Sequence, residues 1–263
     1  MPRDTARDSA RDTARDSREL GGAWARFQHI GYAEPSADLA PFVARYWSVH
    51  WDLRGQPPYR QLIVPYPNVH LSFVSGKPAT VHGVPRRRVF RVLEGEGGVL
   101  GVAFRPGCFR PWLGRSVATI ADRSLPTLFE WLPSSGDVPS VDEVEDLLRA
   151  HAPRRDRTAE ALAGLVERIA ADPALTRVDG VAAAFGTSVR RLQRLFAEYV
   201  GIGPKWVIRR YRLHEITQRL ETADRVDWAA LAAELGYADQ AHLVRDFTAM
   251  VGESPTWYAQ RYP

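Results

Sequence analysis

The sequence is poor in cysteine and contains no long apolar run. Cys108 is the single cysteine among 263 residues, which excludes an internal disulfide and a multi-cysteine zinc or iron–sulfur site. No apolar stretch approaches the ~18 to 20 residues that a membrane-spanning helix needs. The N-terminus alternates arginine and aspartate where a secretory signal would be hydrophobic. These absences predict a cytoplasmic protein that has no membrane partner.

A strong excess of one charge is also lacking, because 35 basic and 31 acidic residues leave a net charge of only +4. The placement of the charges is more informative. Between residues 180 and 214 lie seven arginines and lysines against one acidic residue, Glu198. Concentrated positive charge of this kind attracts the phosphate backbone of nucleic acid. Taken alone, it is more often the pattern of a solvated helix surface.

The first half of the chain has the composition of a β-rich domain. At roughly 150 residues per domain, the length predicts about two domains. Residues 1–20 form a low-complexity tail with nothing to bury, so we expect it to be disordered. Residues 21–151 contain short runs rich in valine and aromatic residues between glycines and prolines, which predict a barrel or sandwich that senses a ligand or dimerises. These runs are residues 42–53, 61–64, 69–75, 88–93 and 99–105.

Helices are predicted at the end of the first domain and throughout the second half of the chain. Stretches 126–132 and 141–150 are the predicted helices within the first domain, and the polar segment 152–156 is typical of a linker. In residues 157–263, apolar side chains at Leu162, Leu165, Val166 and Ile169 share one helical face, and Asp172-Pro173 is expected to end that helix. The predicted fold class is α+β: a β-rich domain followed by an all-α domain.

A repeated unit runs through the helical half. Residues 181–186 match residues 231–236 at an offset of 50, and after a one-residue insertion the offset becomes 51. The matched pairs at the second offset include Leu192 with Leu243, Arg194 with Arg245, Phe196 with Phe247, Val200 with Val251, Gly201 with Gly252, Pro204 with Pro255 and Trp206 with Trp257. Each copy has an alanine-rich helix, a glycine turn and an amphipathic helix, which is the pattern of a helix-turn-helix.

In the first copy, Ser188 is the predicted N-cap of the second helix. The buried stripe is expected to be Val189, Leu192, Phe196 and Tyr199. The outward stripe is Arg190, Gln193, Arg194 and Ala197, with Arg191 beside it. Arginine and glutamine are the side chains that reach guanine and adenine edges in the major groove.

In the second copy, Asp239 is the predicted N-cap, and Leu243, Phe247 and Met250 form the buried stripe. The outward side chains are Gln240, Ala241, Val244 and Arg245, with His242 beside them. Glutamine and arginine suit base edges, and Ala241 and Val244 suit a thymine methyl group. For any one of these residues alone, a solvated surface role is about as frequent, and it is the repeated context that favours DNA.

A helix beginning at Pro204 and running to about Glu221 is predicted between the two units, with Leu213, Ile216 and Leu220 as its apolar stripe. Its length of about 27 Å at 1.5 Å per residue can separate two reading helices by roughly one DNA turn. The basic residues on or beside it are expected to contact phosphates. They are Lys205, Arg209, Arg210 and Arg212.

From about Arg157 to Tyr262 the sequence resembles the DNA-binding domain of the AraC/XylS family of bacterial transcriptional regulators. The residues that carry the resemblance are 183–196, the second motif 235–247, and Val251-Gly-Glu-Ser-Pro255 with Tyr258. Ala241 departs from the polar residue that some members have there. The stretch 101–107 is similar to a segment in the sensing domains of some AraC-like regulators, and it identifies no ligand.

The resemblance implies a transcription factor and not an enzyme. Its partners would be double-stranded DNA, a small-molecule effector, RNA polymerase if it activates, and a second copy in a homodimer. No cofactor is implied. By position, the base-reading residues would be Arg190, Gln193 and Arg194 in the first unit, and Gln240, Ala241, His242 and Arg245 in the second. Trp47, Trp51 and Tyr66 are guesses for an effector pocket, although such aromatics are more often plain core.

Two alternatives from other classes remain open at this point. The first is an enzyme with Cys108 as nucleophile, whose thiol pKa the flanking Arg105 and Arg110 would lower, although no histidine is near in sequence and packing is the commoner role of a lone cysteine. The second is a metal-dependent cupin that uses His50, His70 and His82. Because these histidines lack a His-x-His spacing, no metal site is expected.

Overall fold

The structure, a computed structural model, describes residues 26–63, 65–222 and 226–259; the predicted tail, residues 1–20, lies outside them. Eight strands come first along the chain. They are β1 (Gln28–Ala33), β2 (Val43–Asp52), β3 (Tyr59–Ile63), β4 (His70–Val74), β5 (Thr80–His82), β6 (Val89–Leu93), β7 (Glu96–Phe104) and β8 (Ser124–Pro126). The helices are α1 (Arg110–Leu113), α2 (Val141–Ala150), α3 (Arg157–Ala171), α4 (Val178–Ala184), α5 (Val189–Leu195), α6 (Pro204–Thr222), α7 (Trp228–Glu234), α8 (Gln240–Val251) and α9 (Pro255–Ala259). A 3-10 turn, Val117–Ile120, and a π-helical turn, Phe196–Val200, complete the helical elements.

Six strands form an antiparallel sheet in the order β1-β2-β7-β4-β5-β8, and β3 pairs with β6 in a separate two-stranded ribbon. The prediction of a β-rich N-terminal domain is confirmed, and its large sheet is open rather than a closed barrel. Each of the five predicted runs overlaps one strand, and β3 and β7 begin two or three residues before the predicted starts. Strands β1, β5 and β8 were not predicted.

The helix predicted at 126–132 is wrong. Pro126 ends β8, where it pairs with Thr80, and Thr127 has a positive φ of 47°, a conformation that a right-handed helix excludes. The apolar residues of this stretch reach the core without a helix, since Phe129 and Trp131 stack on each other with ring centroids 5.0 Å apart. Tertiary packing therefore accounts for the apolar pattern here.

One face of the large sheet packs against the main core and forms one side of it. Tyr46, Val102, Leu71 and Val81 lie side by side across four neighbouring strands, and each is at most 1% exposed. This core continues without a break into the helical half, where it takes in residues of α2, α3, α4, α5 and the start of α6. The β-rich part and the first helix-turn-helix are thus one packed body.

A second, smaller core belongs to the second helix-turn-helix. It contains Leu231, Leu243 and Phe247 together with Leu213 and Ile216 of α6. Helix α6 therefore begins in the main core, through Val207 and Ile208, and continues into the second one. Within the described ranges, no helix is long and apolar enough to cross a membrane.

Candidate nucleic-acid interface

The first helix-turn-helix consists of α4 and α5, joined by a turn in which Gly186 has a φ of +68°. The Ser188 hydroxyl accepts a hydrogen bond of 3.3 Å from the Arg191 backbone N–H, which confirms the predicted N-cap. Leu192 and Phe196 are fully buried, as predicted. Val189 was predicted to be buried as well, but it is 37% exposed, because the first residue of α5 lies at the edge of the core.

The outer face of α5 carries its polar side chains into solvent. Arg190, Arg191, Gln193 and Arg194 are all exposed, and none of these side chains makes a hydrogen bond or an ion pair with any residue that the structure describes. Three guanidinium groups and one amide of α5 are therefore free of protein partners among the described residues, with donors and an acceptor available for a ligand.

The second helix-turn-helix repeats this geometry in α7 and α8, with Gly236 in the turn at a φ of +69°. Asp239 caps α8 by accepting a 2.6 Å hydrogen bond from the His242 backbone N–H, as predicted. Gln240, Ala241, His242 and Arg245 are exposed. His242 is the most restrained of them, since its ring packs edge-on against Tyr237 at 5.3 Å between centroids and its Nε2 lies 3.9 Å from Asp246 Oδ2.

A family model described as a helix-turn-helix domain matches residues 181–261, which span both units and the helix between them. By this match, residues 181–261 form an AraC-type helix-turn-helix domain. The chain is accordingly a DNA-binding transcriptional regulator. In the β-rich half, residues 32–126 match a family described as a domain of unknown function (DUF6597). No curated protein matches the sequence.

Several solved structures are similar to this chain. An AraC-type regulator from Chromobacterium violaceum is 24% identical, with a TM-score of 0.35, over 38% of this chain and 91% of that one. The DNA-binding domain of AdpA, in complex with a target DNA, is 26% identical at a TM-score of 0.33, over 41% and 93% of the two chains. ToxT from Vibrio cholerae is 10% identical at a TM-score of 0.41, over 90% and 98%.

Helix α6 has nearly the predicted length, and its basic residues differ in environment. Lys205 is exposed. Arg209 forms an ion pair with Asp246 of α8 through Nη2, which joins α6 to the second helix-turn-helix. Arg212 is half-buried, its Nε and Nη2 have no hydrogen-bond partner within the described part of the chain, and burial lowers the pKa of its guanidinium.

The prediction that Arg210 contacts phosphate does not fit this structure. Arg210 is 3% exposed, and its Nε donates a hydrogen bond to the Pro65 carbonyl. The guanidinium carbon lies 4.0 Å from the centroid of the Tyr66 ring. Burial lowers the pKa of Arg210, while the adjacent Tyr66 acts in the opposite direction. This arginine is buried because α6 turns that side toward the β-rich half.

The three aromatic residues guessed for an effector pocket do not come together. The Trp47 ring fills the space above Gly101, where an added Cβ would lie 2.1 Å from the indole, and Trp51 fills that above Gly97. The Trp47 indole N–H donates to His70 Nδ1 at 3.2 Å. Trp51 also borders a surface cleft, which is lined by Arg26, Phe27, His29, His50, Trp51, Asp52, Glu96 and Gly97. Tyr66 lies elsewhere, against α6.

Cys108 lies in an environment that disfavours a thiolate. It is 1% exposed and packs against Ala159 and Ala163 of α3, and burial raises the pKa of its thiol to about 12, against the opposite effect of Arg105. The two arginines expected to activate it are paired with carboxylates instead: Arg105 with Glu167 at 2.6 Å and Arg110 with Glu198 at 2.9 Å.

The histidines of the metal hypothesis lie on different faces of the large sheet. His70 of β4 pairs with His82 of β5, whereas His50 pairs with Gly98 of β7, which places it on the other face. Among the described residues there is no group of three or more side chains able to hold a metal ion.

Sequence reasoning missed the partners of the linker arginines. Asp246 received no predicted role, and Tyr66 was a guess for an effector pocket. Arg210 and its carbonyl partner are 145 residues apart, and no local periodicity carries a signal over such a separation.

Proposed function

We propose that this protein binds double-stranded DNA in a sequence-specific way, with α5 and α8 entering adjacent segments of the major groove. The observation that carries the proposal is the pair of outward stripes in a duplicated unit, with Arg190, Gln193 and Arg194 exposed in α5 and Gln240 and Arg245 exposed in α8. In α5 the stripe has no protein partner among the described residues, while the opposite sides of the helices contribute buried side chains to the cores, Leu192 in α5 and Leu243 and Phe247 in α8. Contact with DNA, rather than packing within the protein, then explains why polar side chains occupy these outward positions.

The two stripes differ in chemistry at equivalent positions. At the offset of 51 residues, Arg190 of α5 corresponds to Ala241 of α8, and Gln193 corresponds to Val244. Arginine pairs with the O6 and N7 atoms of guanine, whereas alanine and valine suit a thymine methyl group. We therefore propose that the two helices prefer different base sequences, and that the target consists of two unlike halves. Arg191 and Lys205 are proposed to contact phosphates, which position the protein without reading sequence.

The test is selection of bound duplexes from a random DNA library, followed by fluorescence anisotropy on the selected and a scrambled duplex at two salt concentrations. We expect a preference for the selected DNA that survives the higher salt, while the affinity for both duplexes falls as phosphate contacts are screened. A library that yields no enriched sequence with the wild-type protein would contradict the proposal.

A matched set of variants separates base readout from phosphate contact. Arg190→Ala and Arg194→Ala should each weaken binding by about 1 to 3 kcal/mol and relax the preference at particular base pairs, whereas Arg191→Ala should weaken binding to all sequences alike. Lys77→Ala, at an exposed position in the turn after β4, is the control and should leave both measurements unchanged. Full sequence preference in both the Arg190 and the Arg194 variant would rule out α5 as a reading helix.

For the β-rich half we propose a role in sensing a small molecule or in dimerisation. The cleft beside Trp51 supports the first role, since it combines an aromatic wall with the charged groups of Arg26, Asp52 and Glu96. Equilibrium dialysis against a metabolite panel tests sensing, and sedimentation equilibrium tests dimerisation. A monomer that binds no member of the panel would leave this half without either role.

A further inference from the structure

Helix α6 crosses the boundary between the two hydrophobic cores, and its middle is where the β-rich half touches it. Val207 and Ile208 lie in the main core, and Leu213 and Ile216 lie in the core of the second helix-turn-helix. Arg210 falls between these two pairs. Arg210 therefore lies at the point along α6 where the main core ends and the core of the second helix-turn-helix begins.

Arg210 makes two contacts with one short segment, and His214 of the same helix makes a third. The Arg210 Nε donates to the Pro65 carbonyl, and its guanidinium lies over the Tyr66 ring at 4.0 Å. One turn further along α6, His214 Nδ1 lies within hydrogen-bond distance of the Tyr66 hydroxyl, at 3.2 Å. A stacked, hydrogen-bonded arginine that is 3% exposed is a rigid anchor, because the planar guanidinium is fixed in both position and orientation.

A second segment of the β-rich half contacts the same region. The Trp206 indole N–H of α6 donates to the Arg86 carbonyl at 3.1 Å. The Arg88 side chain packs against Gly252, the residue that ends α8, where an added Cβ would lie 3.1 Å from Arg88 Nε. Residues 65 and 66 follow β3 and residues 86–88 precede β6, so both contacts come from the same end of the two-stranded ribbon.

We infer that Arg210 is a positioning residue for DNA binding: by fixing α6 to the β3–β6 ribbon, it sets the orientation of the second helix-turn-helix relative to the first. The first unit shares its core with the β-rich half and needs no such anchor. The second unit has its own core, so its orientation depends on α6 and on contacts outside that core, among them those of Arg210 and Arg88. The ribbon thereby connects the β-rich half to the spacing between the two recognition helices.

The direct test measures the distance between the two units in the absence of DNA. Spin labels attached through Ala183→Cys and Ala233→Cys, exposed and equivalent positions on α4 and α7, report that distance by double electron–electron resonance. Cys108 is buried and will not take up label. We expect one narrow distance distribution in the parent protein and a distribution about twice as broad in Arg210→Met. An unchanged distribution in Arg210→Met would overturn the inference.

Two further variants keep the test decisive if Arg210→Met folds poorly. Tyr66→Leu removes the stacking ring and the hydroxyl from the other side of the contact, and it should broaden the distribution in the same way. Arg210→Lys keeps the charge but loses the planar fork, so it should restore part of the narrow population. Arg87→Met, in the same loop but exposed and without a partner in the described ranges, is the matched control and should change nothing. A broadened distribution in the Arg87 variant would count against a specific role for Arg210.

A DNA readout follows and rests on the proposed function. One base pair inserted between the two halves of the selected site rotates one half by about 35°, which should cost the parent protein about tenfold in affinity and Arg210→Met less than about threefold. If Arg210→Met broadens the distance distribution but neither the parent protein nor the variant prefers the selected DNA, the proposed function fails and the positioning role stands. If the distances do not respond, the positioning role fails even where binding is specific.

Discussion

Arginines close together in sequence have different roles in this protein, and burial decides which. Arg190 and Arg194 project into solvent without a partner among the described residues, Arg209 is paired with Asp246, and Arg210 is buried against Tyr66. A free guanidinium is available to bases, whereas a buried one that is already hydrogen-bonded would have to give up those bonds to reach a phosphate. Within one basic stripe, only a subset of the residues is therefore proposed to bind DNA.

The thiol of Cys108 should be unreactive in the folded protein. Burial raises its pKa to about 12, so the thiolate that attacks alkylating reagents is scarce at pH 8. We expect no mass increase after iodoacetamide treatment under native conditions, and one adduct when the same reaction is run in a denaturant. Complete native alkylation within the time that the denatured protein needs would reopen the thiol-enzyme alternative.

Gly101 should be intolerant of a side chain, because a Cβ there would lie 2.1 Å from the Trp47 ring. We expect Gly101→Ala to lower the free energy of unfolding by about 1 to 3 kcal/mol, measured by urea titration. Gly164→Ala is the matched control: Gly164 lies inside α3 with open space around the added Cβ, so this variant should gain about 0.5 to 1 kcal/mol. Equal effects of the two substitutions would contradict the packing argument.

At the scale of single elements, the cap of the second recognition helix is a local stabilising contact. Asp239→Ala removes the acceptor of the His242 N–H and should destabilise the second helix-turn-helix by about 0.5 to 2 kcal/mol. Asp239→Asn keeps an acceptor and should lose much less. Thermal unfolding followed by circular dichroism distinguishes them, and an Asn variant as unstable as the Ala variant would argue against a capping role.

Strands β4 and β5 place two histidines in an environment that disfavours their charged forms. Burial is the main cause that lowers the pKa values of His70 and His82 to about 4, with nearby positive charge from Arg45 and from Arg91 adding to the effect. The unfolded chain has the ordinary histidine pKa of about 6.5 and binds protons that the folded chain does not. The contribution of these two histidines to the free energy of unfolding should therefore be complete well above pH 6.5, and it should decrease as the pH falls through 6.5 toward 4.

Urea titrations at pH 7.5 and pH 5 measure this dependence, for which we expect a loss of about 1 to 3 kcal/mol. His70→Gln keeps an acceptor for the Trp47 indole and should reduce the loss. His29→Gln, at an exposed position of β1, is the control and should leave the loss unchanged. If His70→Gln loses as much stability as the parent protein, His70 does not contribute to the dependence.

For the whole molecule, the boundary between packed bodies differs from the boundary between predicted domains. The first helix-turn-helix shares the main core with the β-rich half, and the second has a core of its own. Small cores bury little apolar surface and open at lower cost than large ones. The second unit is therefore expected to be the least stable part of the helical half.

Hydrogen exchange in increasing urea should show this order. The backbone amides of Leu231 and Leu243 should lose protection at a lower urea concentration than those of Val181 and Leu192, which occupy equivalent positions in the first unit. Because these residues correspond in sequence and burial, the comparison isolates the effect of the surrounding core. Simultaneous loss of protection in the two units would mean that α6 couples them into one cooperative body.

The sequence alone was sufficient for everything that depends on neighbours along the chain. The repeat, the caps at Ser188 and Asp239 and five of the strands follow from local periodicity and local hydrogen bonding, and the structure has them where the pattern predicts. Ser140, which forms a capping box with Glu143 at the start of α2, is of the same local kind.

Only the tertiary structure decided the burial or exposure of residues whose partners are distant in sequence. Arg210 is buried by Tyr66, Trp47 is accommodated by the missing side chain of Gly101, and Val189 is exposed because the main core ends before it. Residue type and spacing predict that an arginine faces outward from a helix, but the surface that meets that face comes from elsewhere in the chain. Burial and the exclusion of water are properties of the assembled fold, and they set whether a given charge is free to bind DNA.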